Sequence, residues 1–274
     1  MKLKWDYELP EFKSDRHSDY DGNFFYSKGM IIFVYSVCKK ICLIKFDENG
    51  NQILYREYEI PHHTPSLWQT VFYNKKTYLF FDDNVCLDTE TLEILNCKIS
   101  TFGGTEDWLK EARFLEEGPF DFNDFYIEHP TSFTYLCKNK STNDLIWKLK
   151  LKGYLYSKIF KNNNDLIFCT AEHGGGVYAV NEHSGEIRYY IDTKGTQYYV
   201  KINNEMFFYH LGEKGILSKI NLLTGQTIEE FPLNQVTLDS PLQLLDNKWL
   251  LTLTFKRKRD NINIPVIRCI DINS

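Results

Sequence analysis

The chain has 274 residues, of which 43% are hydrophobic and 25% are charged, and its formal net charge is −5. These values are typical of a globular domain, and they exclude a global basic field that would hold nucleic acid or an anionic membrane. No run of about 18 apolar residues occurs, and the first residues contain no apolar signal core. The sequence therefore predicts a cytoplasmic protein without a transmembrane segment.

Aromatic residues make up 16% of the chain, and Tyr and Phe account for most of them. Because aromatic side chains fit pleated, half-buried surfaces, this bias favours strands over helices. The cysteines are scattered and odd in number: Cys38, Cys42, Cys86, Cys97, Cys137, Cys169 and Cys269. In a reducing compartment such a set predicts buried free thiols rather than disulfides.

An Asp or Asn that ends an apolar strand and begins a polar turn recurs along the chain. The six anchors are Asp47, Asp88, Asn139, Asn181, Asn221 and Asp271, with spacings of 41, 51, 42, 40 and 50 residues. Asp and Asn side chains cap their own turns, and a Gly or Asn near the end of the turn supplies positive φ. The strands predicted before the anchors are Ile41–Phe46, Val85–Leu87, Phe133–Cys137, Val177–Val180, Ile216–Ile220 and Val266–Ile270.

Two more strand candidates lie upstream of each such pair, as Gln197–Ile202 and Glu205–His210 do in the fifth unit. A period of about 40–50 residues with four strands per unit is typical of a β-propeller blade. The sequence predicts an all-β fold, a six-bladed β-propeller of four-stranded blades that forms a single domain over residues 1–274. Since the sixth unit ends at its third turn, we expect Met1–Tyr7 to pair beside Val266–Ile270 and close the ring.

Two units are longer than the others. In the third, the segment from Thr105 to Gly118 predicts a short helix, with Thr105 as its N-cap, acidic residues in its first turn and Gly-Pro as its stop signal. In the sixth, the basic cluster Lys256–Arg259 is predicted in the turn between the second and third strands. Such a cluster either binds a phosphate or an acidic partner, or is the solvated tip of a hairpin.

The segment Gly175–Ile187, which contains Val-Tyr-Ala-Val-Asn-Glu-His-Ser-Gly-Glu-Ile, resembles the repeat of quinoprotein-like (pyrroloquinoline-quinone-repeat) propellers. The fifth unit, Gly215–Ile228, is similar to it. The resemblance implies the propeller architecture but no redox chemistry, because this chain has no adjacent Cys-Cys pair and fewer blades than the quinone dehydrogenases of that family. We therefore expect a non-quinone member without a cofactor. The branch that scaffolds outer-membrane assembly consists of exported lipoproteins, and no lipobox is present here.

Histidines and glycines are the residues that most suggest chemistry. His173-Gly-Gly-Gly176 is similar to an oxyanion strand of some esterases, but no Gly-x-Ser-x-Gly motif accompanies it, and the sequence predicts the second hairpin turn of a blade there. His62 and His63 lie in a loop between the first and second blades, on the face expected for His173. Together they either ligate a metal or are simply exposed.

The sequence contains no coherent catalytic set, which favours a non-catalytic protein-binding propeller such as a cytoplasmic immunity or scaffold protein. Aromatic residues at blade-joining positions predict either a partner-binding rim or inter-blade core. The candidate partner-binding residues are His62, His63, Trp108, His173, Tyr198, Tyr199, Arg257 and Arg259. The alternative function is a metal-dependent hydrolase or lyase that acts on a glycan or lactone at the channel mouth.

Overall fold

The computed structural model describes residues 1–13, 20–27, 29–37, 40–59, 69–73, 76–82, 85–88, 91–96, 120–155, 159–194, 196, 198–210, 215–234, 242–257 and 262–274. Regular structure in these ranges is entirely β, so the prediction of an all-β chain is confirmed there. In the same ranges no helix has the length and apolarity needed to cross a membrane. The helix predicted from Thr105 to Gly118 lies outside the described residues.

The strands follow one another closely along the chain. The first half contains β1 (Lys2–Glu8), β2 (Phe12–Lys13), β3 (Tyr20–Ser27), β4 (Met30–Val37), β5 (Lys40–Phe46), β6 (Gln52–Glu59), β7 (Gln69–Tyr73), β8 (Lys76–Asp82), β9 (Val85–Asp88), β10 (Ile94–Asn96), β11 (Phe120–Asp121), β12 (Phe125–Thr131) and β13 (Thr134–Asn139). The second half contains β14 (Leu145–Lys150), β15 (Tyr154–Leu155), β16 (Phe160–Asn162), β17 (Asp165–Ala171), β18 (Gly176–Asn181), β19 (Ile187–Asp192), β20 (Tyr199–Ile202), β21 (Glu205–His210), β22 (Ile216–Asn221), β23 (Thr227–Pro232), β24 (Leu242–Leu245), β25 (Trp249–Arg257) and β26 (Ile262–Asp271).

These strands form six antiparallel sheets of four or five strands. Sheets 1, 2, 3 and 5 contain β3–β6, β7–β10, β11–β14 and β20–β23, each in sequential order. Sheet 4 has the order β15-β17-β18-β19 with β16 paired to β17, and sheet 6 has the order β1-β26-β25-β24 with β2 paired to β26. The sequential order explains why each predicted unit forms its own sheet: short polar turns join neighbouring antiparallel strands.

The chain divides into two compact units. One comprises residues 114–242 together with Met1 and holds sheets 3, 4 and 5. The other comprises residues 2–113 and 243–274 and holds sheets 1, 2 and 6.

The N-terminal strand completes the C-terminal sheet. β1 pairs antiparallel with β26, in a register that runs from Lys2 opposite Asp271 to Glu8 opposite Val266. The predicted pairing of the two chain termini is therefore confirmed. The predicted turn in this sheet is corrected at one point: β25 continues through Arg257, which pairs with Asn263, because the strand extends further along β26 than its apolar pattern indicated.

All six predicted anchors cap their turns, which confirms the repeat. In each, a side-chain oxygen accepts backbone N–H groups of the turn: Asp47 from Asn49 and Asn51, Asp88 from Thr91, Asn139 from Ser141 and Thr142, Asn181 from His183 and Ser184, Asn221 from Leu223, and Asp271 from Asn273. Gly50, Asn143, Gly185 and Gly225 supply the predicted positive φ. The second of the six repeats differs, because Leu92, with φ of 61°, stands where four of the others have Gly or Asn. Burial of its side chain beside Leu87 offsets the strain.

An aromatic ring from the fourth strand of one sheet lies on the turn glycine of the next. The three pairs are Trp5 on Gly50, Trp147 on Gly185 and Tyr189 on Gly225. We call this the ring-on-glycine contact. In each pair the Trp or Tyr also donates a hydrogen bond to a backbone carbonyl of the same turn, at Glu48, Glu182 and Leu222 respectively. A Cβ on any of the three glycines would lie 2.6–2.7 Å from a ring carbon, so only glycine fits.

The core fills the spaces between consecutive sheets within each unit. In the compact unit of residues 114–242, one cluster lies between sheets 3 and 4 and includes Ile127, Tyr135 and Phe168. A second cluster, with Ile167, Phe208 and Ile220, lies between sheets 4 and 5. The described cysteines belong to this interior, since Cys42, Cys86, Cys137, Cys169 and Cys269 are all free and buried. For these five residues, the prediction of buried free thiols is confirmed.

Replacing Gly185 tests the ring-on-glycine contact. We expect Gly185→Ala to lower the free energy of unfolding by about 3 kcal/mol, because the methyl group displaces the Trp147 ring and its hydrogen bond. Gly174 is a matched control: its φ of 75° is close to the 71° of Gly185, but an added Cβ meets only Lys152 at 3.6 Å. We expect Gly174→Ala to cost about 1 kcal/mol, the backbone term alone. Equal losses in urea denaturation would contradict the proposed role of the ring.

Thiol reactivity tests the core. Burial raises the pKa of the Cys137 and Cys269 thiols to about 12, so neither forms a thiolate at pH 8. The sequence has seven cysteines and five are buried, so at most two should react with Ellman's reagent in the native protein. All seven should react in guanidinium chloride. Rapid native labelling of three or more thiols would show that the core is open.

Candidate functional site

An exposed group of rings lies where the β12–β13 and β17–β18 turns come together. We call Phe133, Tyr154, His173 and Tyr190 the aromatic patch. The Tyr154 ring centroid lies 5.2 Å from that of Phe133 and 5.2 Å from that of His173, the latter edge to face. Phe133 is 37% exposed, Tyr190 41%, and the His173 side chain 60%. The rings of Phe133, Tyr154 and His173 contact one another, and Tyr190 joins them through its hydroxyl on Gly174. Rings arranged in this way form a surface that a partner can cover.

His173 lies in a strained turn. Glu172 and His173 have φ of 57° and 40°, and Gly174 follows with φ of 75°. The Gly175 N–H donates to the Glu172 carbonyl at 2.6 Å, which closes the turn around His173 and Gly174. Positive φ at both central residues is a property of type I′ turns, where Gly, Asn and Asp are the usual residues. A histidine there is conformationally unfavourable, and residues held in such conformations cluster at functional sites.

Close backbone contacts hold this turn in place. A Cβ on Gly153 would lie 2.6 Å from the Ala171 carbonyl oxygen, and one on Gly175 would lie 2.7 Å from the Thr170 carbonyl oxygen. The buried Thr170 hydroxyl donates to the Lys152 carbonyl at 2.7 Å and accepts from the Gly176 N–H at 3.0 Å. Because these contacts tie Lys152 and Gly153, directly before β15, to both sides of the β17–β18 turn, the base of the aromatic patch is rigid.

Tyrosine hydroxyls and one lysine give the patch its polar character. The Tyr190 hydroxyl donates to the Gly174 carbonyl at 2.8 Å, and its ring lies 4.6 Å from the buried ring of Tyr178. Burial raises the pKa of Tyr178 to about 12 and also raises the pKa of Tyr190, so both stay neutral at physiological pH. Lys152 runs along Gly174, and the Glu172 carboxylate lies 3.9 Å from His173 Nε2. The patch therefore combines apolar rings with both signs of charge.

A histidine–serine pair lies in sheet 5. His210 Nε2 is 3.0 Å from Ser218 Oγ, and burial lowers the pKa of His210. Ser218 is buried, so a substrate cannot reach its hydroxyl, and the pair is a satisfied polar contact of the sheet. Within the described residues, no three His, Cys, Asp or Glu side chains are arranged to hold a metal ion. The metal-dependent alternative depends on His62 and His63, outside the described residues, and stays a prediction.

The predicted partner-binding residues do not form one group in the described structure. His173 lies in the aromatic patch. Tyr198 stacks on Tyr209 with centroids 6.4 Å apart, and Tyr199 faces the core between sheets 4 and 5. The Tyr199 hydroxyl donates to the Thr170 carbonyl at 2.7 Å, so Tyr199 supports the base of the patch from inside. His62, His63, Trp108 and Arg259 lie outside the described residues, and of Arg257 only the backbone, in β25, is described.

Sequence patterns do not single out three members of the aromatic patch. The apolar pattern predicts a strand that begins at Phe133, but β13 begins at Thr134, which leaves Phe133 in the turn. Tyr154 follows the positive-φ Gly153, and the outward position of Tyr190 on β19 follows from strand alternation. The signals that could have found them are an aromatic residue in a turn and an aromatic residue on the polar side of an edge strand.

No protein-family model matches the chain, and no curated protein matches it. Among solved structures, BamB from Moraxella catarrhalis is similar at 12% identity, covering 96% of this chain and all of that one, with a TM-score of 0.38. The computationally designed Ika8 protein is similar at 13% identity, covering 91% of this chain and 70% of that one, with a TM-score of 0.36. The designed Ika4 protein covers 53% of this chain and 86% of its own at 12% identity, with a TM-score of 0.33. At these values the similarities assign neither a family nor a function.

Replacing His173 tests the strain. A left-handed conformation costs a non-glycine residue about 1–2 kcal/mol, so we expect His173→Gly to raise the free energy of unfolding by about 0.5 kcal/mol after the entropy cost of glycine. Ser132→Gly in the neighbouring turn is the control, since Ser132 has no positive φ to relieve. It should lower the free energy of unfolding by about 0.5 kcal/mol. If His173→Gly destabilises the protein as much as Ser132→Gly, the histidine is not strained.

Proposed function

We propose that this protein is a non-catalytic protein-binding module and that the aromatic patch is its contact surface. The observation that carries the proposal is His173, a histidine held at positive φ in a rigid turn with its ring against those of Phe133 and Tyr154. Stability alone would favour glycine or asparagine at this position, so the side chain itself is what the turn presents. Aromatic side chains are the commonest anchors of protein interfaces.

We propose further that the six sheets are the blades of a six-bladed, quinoprotein-like propeller that spans the chain as one domain. The proposal is supported by six sheets with the same capped turn and by ring-on-glycine contacts between consecutive sheets in each unit. Pairing of β1 with β26 supports closure through the last blade. In such a disc the β12–β13 and β17–β18 turns lie on one face, which suits docking of a partner.

A cytoplasmic immunity or scaffold role fits this surface. Five free, buried cysteines support a reducing compartment, since an oxidising one favours disulfides in place of free thiols. A rigid sheet-based surface binds without a large ordering cost, which suits a module whose task is to engage one partner tightly. We propose no catalytic residues and no cofactor.

Affinity capture from the native cell extract tests the proposal. The tagged wild-type protein should retain a stoichiometric partner, and Phe133→Ser/Tyr154→Ser should reduce its recovery at least about tenfold, because truncated aromatic anchors cost about 2 kcal/mol or more each. Ile53→Ser/Ile228→Ser is the matched control, since both isoleucines are exposed and lie outside the patch. The control should capture as the wild type does. Absence of a stoichiometric partner, or equal recovery by all three proteins, would contradict the proposal.

A further inference from the structure

Strand β14 and the residues directly after it present a row of exposed lysines. Lys148, Lys150 and the following Lys152 alternate with the inward residues Trp147, Leu149 and Leu151, and all three lysines are exposed. None of them has an ion-pair partner among the described residues. On the same face of sheet 3, the Glu128 carboxylate is already paired with Lys138 at 2.8 Å. The row therefore carries a local charge of +3 on a protein whose net charge is −5.

The backbone of the same residues is open. β14 is the last strand of sheet 3, and the described structure pairs it with β13 alone. The Leu151 N–H donates to the Phe133 carbonyl on the β13 side. Backbone groups of an antiparallel strand alternate in direction, so those of Lys148 and Lys150 point away from the sheet. An edge of this kind is a template for one more strand.

Several charges on other edge strands of the described structure are paired. On β19, Arg188 pairs with the buried Asp165, and Asp192 pairs with Lys194 at 2.8 Å. On β6, Glu57 pairs with Lys40 at 2.8 Å. Lysines on an edge also discourage aggregation by mutual repulsion. On β14 the lysines follow the exposed Leu145 and Ile146, at 55% and 42% exposure, so an added strand would find apolar contact beside the charges.

We propose that β14 binds an extended acidic peptide segment of the partner, which adds a strand to sheet 3; this inference rests on the proposed function. Acidic residues at alternate positions of the segment lie opposite Lys148 and Lys150, where directly facing side chains have Cβ atoms about 4.5–5.5 Å apart. The residues between them are apolar and continue the inward face. One end of the segment lies on Leu145 and Ile146, and the other passes Lys152 to reach the aromatic patch.

The chemistry favours a peptide over a nucleic acid. Lys148 and Lys150 are two residues apart, about 7 Å along a strand, which matches the repeat of a facing strand. Their outward N–H and C=O groups are complementary to another peptide backbone, and phosphates can use only the donors. The negative net charge also opposes the binding of a polyanion.

Two synthetic peptides serve as probes, measured by fluorescence anisotropy against the full chain. The first alternates Val and Glu and ends in Phe. The second is identical except that alternate residues carry backbone N-methyl groups on the side facing β14. We expect the first to bind, and the second to bind at least about tenfold more weakly, because N-methylation removes the strand hydrogen bonds while keeping every charge.

Charge reversal locates the site. Lys148→Glu/Lys150→Glu should weaken the alternating peptide at least about tenfold. Lys2→Glu/Lys248→Glu, which changes the net charge equally in sheet 6, should leave its affinity within about twofold. Equal thermal melting of both variants and the wild type excludes unfolding as the cause. In hydrogen exchange, the peptide should protect the amides of Lys148 and Lys150.

Several outcomes would overturn the proposal. Equal binding of the two peptides means charge attraction without strand addition. Equal loss in both charge-reversal variants means a general field effect, and tighter binding of an oligonucleotide of the same charge means a nucleic-acid surface. Capture of the native partner separates this inference from the proposed function. If Phe133→Ser/Tyr154→Ser no longer captures the partner but Lys148→Glu/Lys150→Glu still does, the aromatic patch remains the proposed contact surface. The proposed addition of a strand at β14 is then rejected.

Discussion

The ring-on-glycine contact is the constraint on which the stacking of three pairs of sheets depends: sheet 6 on sheet 1, sheet 3 on sheet 4, and sheet 4 on sheet 5. Apolar burial between two sheets is non-directional and would tolerate sliding. The aromatic ring fits only over a glycine, and the same side chain must also donate a hydrogen bond to one backbone carbonyl. These two requirements together fix the position of one sheet on the next. The glycine meets two demands at once, since Gly185 supplies positive φ to its own turn and leaves room for Trp147. A substitution there therefore affects both the turn and the neighbouring sheet.

Because of this constraint, the turns at the two ends of a sheet differ in their structural roles. Turns such as Asn139–Asp144 and Asn181–Glu186 carry the capped anchor, and in sheet 4 the anchor turn also receives the ring of Trp147. The turns at the opposite ends of the same strands, β12–β13 and β17–β18, have no such duty. Their residues are free to serve another purpose, which is why Phe133 and His173 can be exposed there. β14 is divided in the same way: its inward residues pack against sheet 4, and its lysines face outward.

Local chemistry made much of the fold predictable from the sequence. Asp and Asn anchors, turn glycines and alternating apolar residues act within a few positions, and they predicted the strands, the capped turns and the pairing of β1 with β26. What failed depends on distant contacts. Leu92 takes a conformation reserved for Gly or Asn because a core surrounds it. The sequence left Tyr199 at either a partner-binding rim or the inter-blade core, and the hydrogen bond from its hydroxyl to the Thr170 carbonyl in the neighbouring sheet decides for the core. No pattern along the chain contains these partners.

The aromatic patch could not be predicted from the sequence for the same reason. Its rings come from residues 133, 154, 173 and 190, and spacings of about 20 residues between them carry no helical or strand period. They meet because sheets 3 and 4 are fixed by Trp147, so the geometry of the candidate site is a consequence of the ring-on-glycine contact several residues away. A rigid base is also what makes the strain at His173 sustainable, since a looser turn would relax to an ordinary conformation. The stacking of sheets 3 and 4 and the exposed surface thus depend on the same few close contacts.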